Sequence, residues 1–334
     1  MGLTATSARA DDPDEIFNRV APATVQVLGN DISATGIIYD AENGLIVTNA
    51  HVVVGQSALQ VRIEDQEPVP VRLMGSDPCE DLAVLKLQTP QKDLEEVKFG
   101  DSGDLRQGEE VTAIGYPVAA GEGSRQKAVL TTGVVQSPDV AQTGQVSNPN
   151  LVSTVQHSAT LNDGNSGGPL LNGDAELVGI NTFSLSGTEG QYYSVSSKHA
   201  EPLLKGLADG KSKNDPGWQL IAVSDPHFAD YFADQSDGEK IQKRLTREDI
   251  DGLFVGSVAS NSPASEAGVV NGDVITHVKD TPVTTVPEVC GILQSSAPGE
   301  KLGIDGVVTT DTTFADGTEA TFGEPWHSDM TVKE

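Results

Sequence analysis

The chain has 334 residues, 37% of them hydrophobic and 21% charged, which is typical of a soluble globular protein with two or three domains. Its formal net charge of −28 argues against duplex nucleic acid or an anionic membrane as partner, because both would be repelled. The sequence has no run of about 18 apolar residues, so it predicts no membrane span. The 35 glycines and 18 prolines favour turns and strands over helices.

Residues 1–10 end in Ala-Arg-Ala, which is similar to the cleavage end of a secretory signal. The apolar core of such a signal is missing from this stretch, and we exclude these ten residues from the fold. We expect the protein to be exported, to a periplasmic, cell-envelope or extracellular location.

The first domain is expected over residues 11–206. A short helix is predicted over residues 11–19, where an aspartate can cap the N-terminus and Pro13 suits the first turn. Short strand patterns separated by turns follow, and a helix over residues 199–207 closes the unit. Many short strands at this spacing predict barrels or sandwiches.

A polar, turn-rich stretch at residues 207–216 predicts a linker. A second domain is expected over residues 217–325, followed by a tail at residues 326–334. Two helices are predicted in it, over residues 263–267 and 287–296, and residues 238–247 form a helix-compatible run. Two strands are predicted around a turn at residues 316–317. The helix over residues 263–267 has clear end signals, because Ser262 can cap it and Gly268 can end it.

The chain has two cysteines, Cys79 and Cys290. This number excludes a disulfide-rich scaffold and a cysteine-based zinc site. The two residues fall in different predicted domains, so we expect no disulfide between them. Each is interpreted as a small buried hydrophobic residue.

The stretch most informative about function is residues 164–170 (GNSGGPL), in which a serine lies between glycines. Glycine tolerates positive φ and lets another backbone approach closely, as a turn that projects one hydroxyl requires. The N–H groups of Gly164 and Ser166, on either side of Asn165, can then stabilise negative charge on a reacting carbonyl. The alternative is an ordinary glycine-rich turn between two strands.

A serine hydroxyl is a weak nucleophile that needs a base within hydrogen-bond reach and a third group to orient that base. His51 follows an apolar strand, and Asp81 directly precedes another strand. The order His, Asp, Ser is that of one known catalytic triad. Five further histidines have no comparable setting and are interpreted as packed or surface residues: His157, His199, His227, His277 and His327.

Together these motifs resemble the HtrA/Deg family of trypsin-like serine proteases. The resemblance is carried by residues 48–53 (TNAHVV), 81–86 (DLAVLK), 115–117 (GYP), 164–170 (GNSGGPL), 178–181 (VGIN) and, for a PDZ domain, 252–275. It implies a mainly β fold, with a trypsin-like double β-barrel protease domain followed by a β-rich PDZ domain with two helices. It also implies an ATP-independent endopeptidase that cleaves unfolded or damaged proteins, without a cofactor or metal.

The resemblance implies a role for each triad residue. His51 would act as general base and acid, Asp81 would orient it, and Ser166 would be the nucleophile. The oxyanion turn would comprise Gly164, Asn165 and Ser166, with the first and last supplying N–H donors.

A specificity pocket is implied as well. Its wall would be the strand at residues 190–196, including Tyr193, Ser194 and Val195. Thr160 and Leu161 would lie near its floor. Because neither of these two is charged, we expect small or medium apolar side chains at the cleavage site rather than Lys or Arg.

The PDZ domain would bind an extended peptide by strand addition beside a helix. Candidate groove residues are Leu220, Ile221, Val289 and Leu293, which can equally be ordinary core residues. The family's glycine is missing from residues 218–221 (WQLI), which puts capture of a C-terminal peptide in question. The resemblance also implies a homotrimer.

Two other functions stay open at this point. The chain can be a non-proteolytic binding protein or chaperone in which the barrel is a scaffold and the PDZ domain binds. It can also be a resting protease with a complete triad and a collapsed oxyanion turn.

Overall fold

The computed structural model describes residues 12–30, 32–56, 58–118, 126–182, 190–310, 312–313 and 319–333. Two closed six-stranded β-barrels are followed by a third β-sheet. This architecture confirms the predicted mainly β fold with a double barrel and a second β-rich domain.

The first barrel is preceded by helix α1, Pro13–Val20, and a 3-10 turn, Ala21–Ala23. Its strands are β1 Thr24–Leu28, β2 Ser33–Asp40, β3 Leu45–Thr48, β4 Gln60–Ile63, β5 Val69–Asp77 and β6 Leu82–Leu87. They close in the order β1-β2-β3-β6-β5-β4, and the one-turn helix α2, Ala50–Val53, follows β3. Buried β-branched residues such as Val25, Ile37 and Ile46 fill the interior, as strand propensity favours.

The second barrel is preceded by a 3-10 turn, Ser102–Asp104. Its strands are β7 Glu110–Gly115, β8 Val129–Gln142, β9 Leu151–His157, β10 Pro169–Leu171, β11 Leu177–Asn181 and β12 Tyr192–Ser196. They close in the order β10-β11-β12-β9-β8-β7. Helix α3, Ser197–Ala208, then packs against strands of both barrels.

The third sheet belongs to the second domain. Its strands are β13 Trp218–Ala222, β14 Leu253–Val258, β15 Val274–Val278, β16 Thr281–Pro282, β17 Lys301–Val307 and β20 Pro325–Thr331, while β18 Thr312–Thr313 pairs with β19 Glu319–Ala320. The helices are a 3-10 turn Phe228–Tyr231, α4 Gln235–Arg247, α5 Pro263–Glu266 and α6 Val286–Ser295. The predicted turn at residues 316–317 lies outside the described residues.

The prediction that residues 326–334 form a tail outside the domain is wrong. Strand β20 pairs antiparallel with β17 from Pro325 opposite Val307 to Thr331 opposite Lys301. Met330 points into the domain core and is 1% exposed. The strand was missed because its other side chains are mostly polar, so the sequence shows little apolar alternation.

The prediction that the two cysteines stay unpaired is also wrong. Cys79, in the turn between β5 and β6, forms a disulfide with Cys290 of α6. The two residues are separated by 211 positions and do belong to different domains. They pair because the second domain packs α6 directly against that turn.

Among the described residues, no helix is both long enough and apolar enough to cross a membrane.

Candidate active site

His51 and Asp81 are brought together by the pairing of β3 with β6, in which Thr48 lies opposite Ala83. His51 follows the end of β3, and Asp81 lies just before the start of β6. The imidazole Nδ1 is 2.9 Å from one carboxylate oxygen of Asp81 and 3.0 Å from the other. The backbone N–H of His51 donates to the same carboxylate at 3.1 Å.

Asp81 is fixed by hydrogen bonds from both barrels. It has a left-handed φ of +51°, a conformation that aspartate tolerates better than most residues. The side-chain amide of Asn49 donates to its carbonyl at 3.0 Å, and the hydroxyl of Thr182 donates to its carboxylate at 2.5 Å. The carboxylate is 2% exposed, and the hydrogen bonds from Thr182 and His51 compensate for the water it has lost.

The environment of His51 sets its protonation. Burial lowers the pKa of the imidazole, but the charge of Asp81 and the hydrogen bond to it raise the pKa, and the net result is a pKa above the ordinary value of 6.5. Asp81 accepts a hydrogen bond from Nδ1–H, so in the neutral ring Nε2 carries a lone pair that can accept a proton. The His51 side chain is 39% exposed, which leaves the ring accessible from outside.

Ser166 lies in a turn between β9 and β10 that is held by the first barrel. The N–H of Thr35 in β2 donates to the carbonyl of Ser166 at 2.9 Å. Gly167 has a φ of +83°, and a Cβ there would lie 2.1 Å from the carbonyl oxygen of Thr35 and beside Thr48. The turn therefore requires glycine, and Ser166 lies at the same junction between the barrels as His51 and Asp81.

Thr35 also organises the preceding residues of the turn. Its hydroxyl donates to the carbonyl of Gly164 at 2.6 Å and accepts from the N–H of Tyr116 at 2.9 Å. The buried side chain thus connects the serine turn to both barrels. No motif in the sequence distinguishes this threonine from others in the strands.

The backbone of the turn leaves two N–H groups available. The carbonyl of Asp163 accepts from Val118 N–H at 2.8 Å, and in a trans peptide the N–H of Gly164 points the opposite way. Within the described part of the chain, the N–H groups of Gly164 and Ser166 donate to no protein oxygen. The N–H of Asn165 instead donates to the carbonyl of Asn162 at 3.0 Å, inside the turn.

The predicted pocket residues lie in and around β12. Ser194 is fully buried, and its hydroxyl donates to Asn181 Oδ1 at 2.8 Å and lies 3.0 Å from Nε2 of His157. Burial lowers the pKa of His157 to about 3, so its ring is neutral near pH 7. This histidine, interpreted from the sequence as a packed or surface residue, is packed and also holds Ser194 in place.

The other four predicted pocket residues differ in burial. Leu161 and Val195 belong to the apolar cores of the barrels, and Tyr193 is also buried. Thr160 is exposed, and its carbonyl accepts from the hydroxyl of Thr131 at 2.9 Å. Residues 183–189, which join β11 to β12, lie outside the described residues.

Three of the four predicted PDZ groove residues line a single cavity. Leu220 of β13 and Val289 and Leu293 of α6 share a cavity of about 180 Å³ with His51 and Asp81. The fourth, Ile221, packs on the opposite face of β13, in an apolar cluster with Phe228 and Phe254, because successive strand residues point to opposite faces. The cavity therefore connects the candidate active site with the second domain.

Metal ligands of the usual kinds are not clustered in the described part of the chain: no group of three or more His, Cys, Asp or Glu residues could hold an ion.

Comparison with known proteins identifies both domains. Residues 34–180 match the model of a trypsin-like peptidase domain, and residues 254–313 match that of a PDZ domain. The chain is 35% identical to the serine protease Do-like HtrA of Bacillus subtilis (strain 168) over 272 residues, 79% of this chain and 58% of that protein. It is 30% identical to the periplasmic serine endoprotease DegP of Escherichia coli (strain K12) over 272 residues, 80% of this chain and 52% of that protein.

Solved structures share the fold. A serine endoprotease from Yersinia pestis has a TM-score of 0.52 and 23% identity, covering 98% of this chain and 99% of that one. The HtrA-type protease AlgW with a tripeptide also has a TM-score of 0.52, with 24% identity, covering 96% of this chain and 97% of that one. At this identity the likeness shows the fold alone.

The chain spans between half and two thirds of the length of the curated relatives described above. A trypsin-like peptidase domain followed by a PDZ domain, together with these relatives, shows that the chain belongs to the HtrA/Deg family.

Proposed function

We propose that this chain is an ATP-independent serine endopeptidase that cleaves unfolded or damaged polypeptides, with its PDZ domain capturing substrate or regulating cleavage. The observation that carries the proposal is the His51–Asp81 pair, at 2.9 Å, at the same barrel junction as Ser166 and its two available N–H groups. The names of the relatives, a serine protease and a serine endoprotease, support the same chemistry.

In the proposed mechanism, the hydroxyl oxygen of Ser166 attacks the peptide carbonyl as its proton moves to Nε2 of His51. Asp81 stabilises the resulting imidazolium through Nδ1. The N–H groups of Gly164 and Ser166 stabilise the oxyanion of the tetrahedral intermediate. His51 then gives its proton to the leaving amine, and water hydrolyses the acyl-enzyme by the same steps in reverse.

For specificity, we propose that small or medium apolar side chains enter the primary pocket. Neither Thr160 nor Leu161 carries a charge that could pair with Lys or Arg. The network behind Ser194 is neutral near pH 7, because the pKa of His157 is about 3. A neutral wall has no electrostatic attraction for a cationic side chain.

Catalytic activity is expected to depend on the protonation of His51. Only the neutral ring can accept the proton of Ser166, and the pKa of His51 is raised above 6.5. We therefore expect kcat/KM to fall as the pH decreases through a midpoint above 6.5. A pH profile of peptide hydrolysis measures this midpoint, and a value below 6.5 would contradict the assigned role of Asp81.

The substrate class is tested with one protein in two states. Ribonuclease that has been reduced and carboxymethylated is unfolded, whereas the native enzyme is compact and offers few accessible peptide bonds. The chain is expected to fragment the unfolded form without nucleotide and to leave the native form intact, as mass spectrometry of the products will show. Binding of the unfolded form without cleavage would favour the non-proteolytic chaperone instead.

We also propose that the protein is exported and forms a homotrimer, as the family resemblance implies. The export proposal is supported by the E. coli relative, which is described as periplasmic.

A further inference from the structure

We infer that the Cys79–Cys290 disulfide is a redox-controlled lock that holds the PDZ domain against the active-site cleft, and that a dithiol reductant opens it. Reduction then frees the PDZ domain to move away from His51, and a polypeptide substrate enters the active-site cleft more readily. The effect on cleavage rests on the proposed proteolytic function, whereas the movement of the domain does not.

The position of the bond is the first argument. Cys79 lies in the turn at residues 78–81, two positions before Asp81, and Cys290 lies within α6 of the PDZ domain. The disulfide therefore fastens a PDZ helix to the turn that presents the proposed catalytic acid. Both cysteines line the cavity that His51 and Leu220 share.

The triad does not depend on this bond. The hydrogen bonds that fix Asp81 come from His51, Asn49 and Thr182, all of which belong to the protease domain. Breaking the disulfide leaves those three donors in place. We therefore expect reduction to change the position of the PDZ domain and to leave the geometry of Asp81 unchanged.

Apart from the disulfide, the polar contacts between the two domains are hydrogen bonds. The exposed contact of Gln294 with Glu80 measures 3.5 Å, and it lies beside the disulfide on α6. Further hydrogen bonds join the PDZ domain to the loop between β8 and β9: Val286 N–H donates to the Val146 carbonyl at 2.8 Å, Ala222 N–H donates to the Ser147 hydroxyl at 3.0 Å, and the Tyr231 side chain hydrogen-bonds with Ser147 and Asn148. Hydrogen bonds of this kind exchange with water, and relative motion is the usual behaviour of domains within one chain, so in the proposal the covalent bond is what keeps the two domains together.

The docked domain narrows the cleft beside His51. Trp218 and Leu220 form part of the wall of the cavity that His51 and Pro78 also line. A long polypeptide that enters on this side meets that wall. A short peptide needs less room and still reaches the ring, which is 39% exposed.

The exchange is an ordinary two-electron reduction. A thiolate of the dithiol attacks Sγ of Cys290, which is 8% exposed against 1% for Cys79, and Cys79 leaves as a thiolate. The second thiol of the same reductant molecule then attacks the reductant's sulfur atom in the mixed disulfide. The bond to Cys290 breaks, and Cys290 leaves as a thiolate. The reductant becomes a cyclic disulfide, and the two cysteine thiolates take up the two protons.

The test compares oxidised protein with protein treated with dithiothreitol, in a Trp326→Phe background that leaves Trp218 as the only tryptophan. Trp218 is 6% exposed in the docked state, so acrylamide quenching of its fluorescence is expected to rise on reduction. Casein hydrolysis is expected to rise about fivefold or more, a coupling of the usual size between two sites, while hydrolysis of a short peptide stays unchanged. The double variant Cys79→Ser/Cys290→Ser should behave as the reduced protein with and without dithiothreitol.

Alkylation and mass spectrometry establish that both cysteines have been reduced. Reduced protein with unchanged Trp218 quenching would overturn the lock, whatever the activity. Increased quenching in a protein that cleaves neither casein nor peptide would support the lock and contradict the proposed protease function. Increased quenching with unchanged casein hydrolysis and a normal peptide rate would overturn the claim that docking restricts the substrate.

Discussion

Replacement of Ser166 with alanine is expected to lower turnover of an unfolded protein substrate by about 10⁶, the scale found when the nucleophile of other triads is removed. The methyl group of alanine cannot attack the peptide carbonyl or deliver a proton to His51. The fold should survive, because Ser166 is held through its backbone carbonyl, which accepts from Thr35 N–H at 2.9 Å. The variant therefore separates chemistry from stability.

Casein hydrolysis measures the loss, and thermal unfolding measures any change in stability. The matched control is Ser260→Ala, because Ser260 is an exposed serine after β14 in the PDZ domain. The control should retain full activity. Equal casein hydrolysis in the Ser166→Ala variant and the unaltered protein would refute the assignment of the nucleophile.

Replacement of Asp81 with asparagine is expected to lower turnover by about 10⁴, as in other triads. The amide can donate to Nδ1 of His51, which moves the ring proton to Nε2 and removes the lone pair that accepts the proton of Ser166. Loss of the carboxylate charge also lowers the pKa of His51, because that charge and the hydrogen bond to it hold the pKa above 6.5.

The pH profile of kcat/KM and the level of activity together show whether loss of the Asp81 carboxylate is the cause. The acid limb of the kcat/KM profile should move to lower pH in Asp81→Asn, a shift that a merely destabilised protein would not show. Asp104→Asn is the control, since Asp104 is an exposed carboxylate in the 3-10 turn that precedes the second barrel. An acid limb that stays in place, or activity within tenfold of the unaltered protein, would contradict the role of Asp81.

The fold was predictable because its strands and turns have local signals. Short strand patterns separated by turns predicted barrels or sandwiches, and the resemblance to the HtrA/Deg family implied the double barrel. Ser262 and Pro263 predicted a short helix whose N-terminus is capped as expected. The candidate triad was predictable for a related reason. His51 follows one apolar strand, Asp81 precedes another and Ser166 lies in a glycine-rich stretch, so the pattern is visible in the sequence alone.

The contacts between distant elements were not predictable. Thr35 and Thr182 hold the serine turn and Asp81 in place, yet no motif distinguishes either threonine, and their contacts form only when the two barrels meet. The disulfide was missed for the same reason, because nothing local indicates that α6 packs against the turn containing Cys79. Ile221 was predicted to line the groove with Leu220, but successive residues of β13 point to opposite faces of the sheet.

The central claim is that Ser166 is activated by His51 and Asp81. The most direct measurement is labelling with a fluorophosphonate, which reacts with an activated serine hydroxyl, followed by mass spectrometry to locate the modified residue. We expect a single adduct on the peptide containing Ser166, strongly reduced labelling in Asp81→Asn and none in Ser166→Ala. An unlabelled protein that still cleaves casein, or an adduct on another serine, would contradict the account.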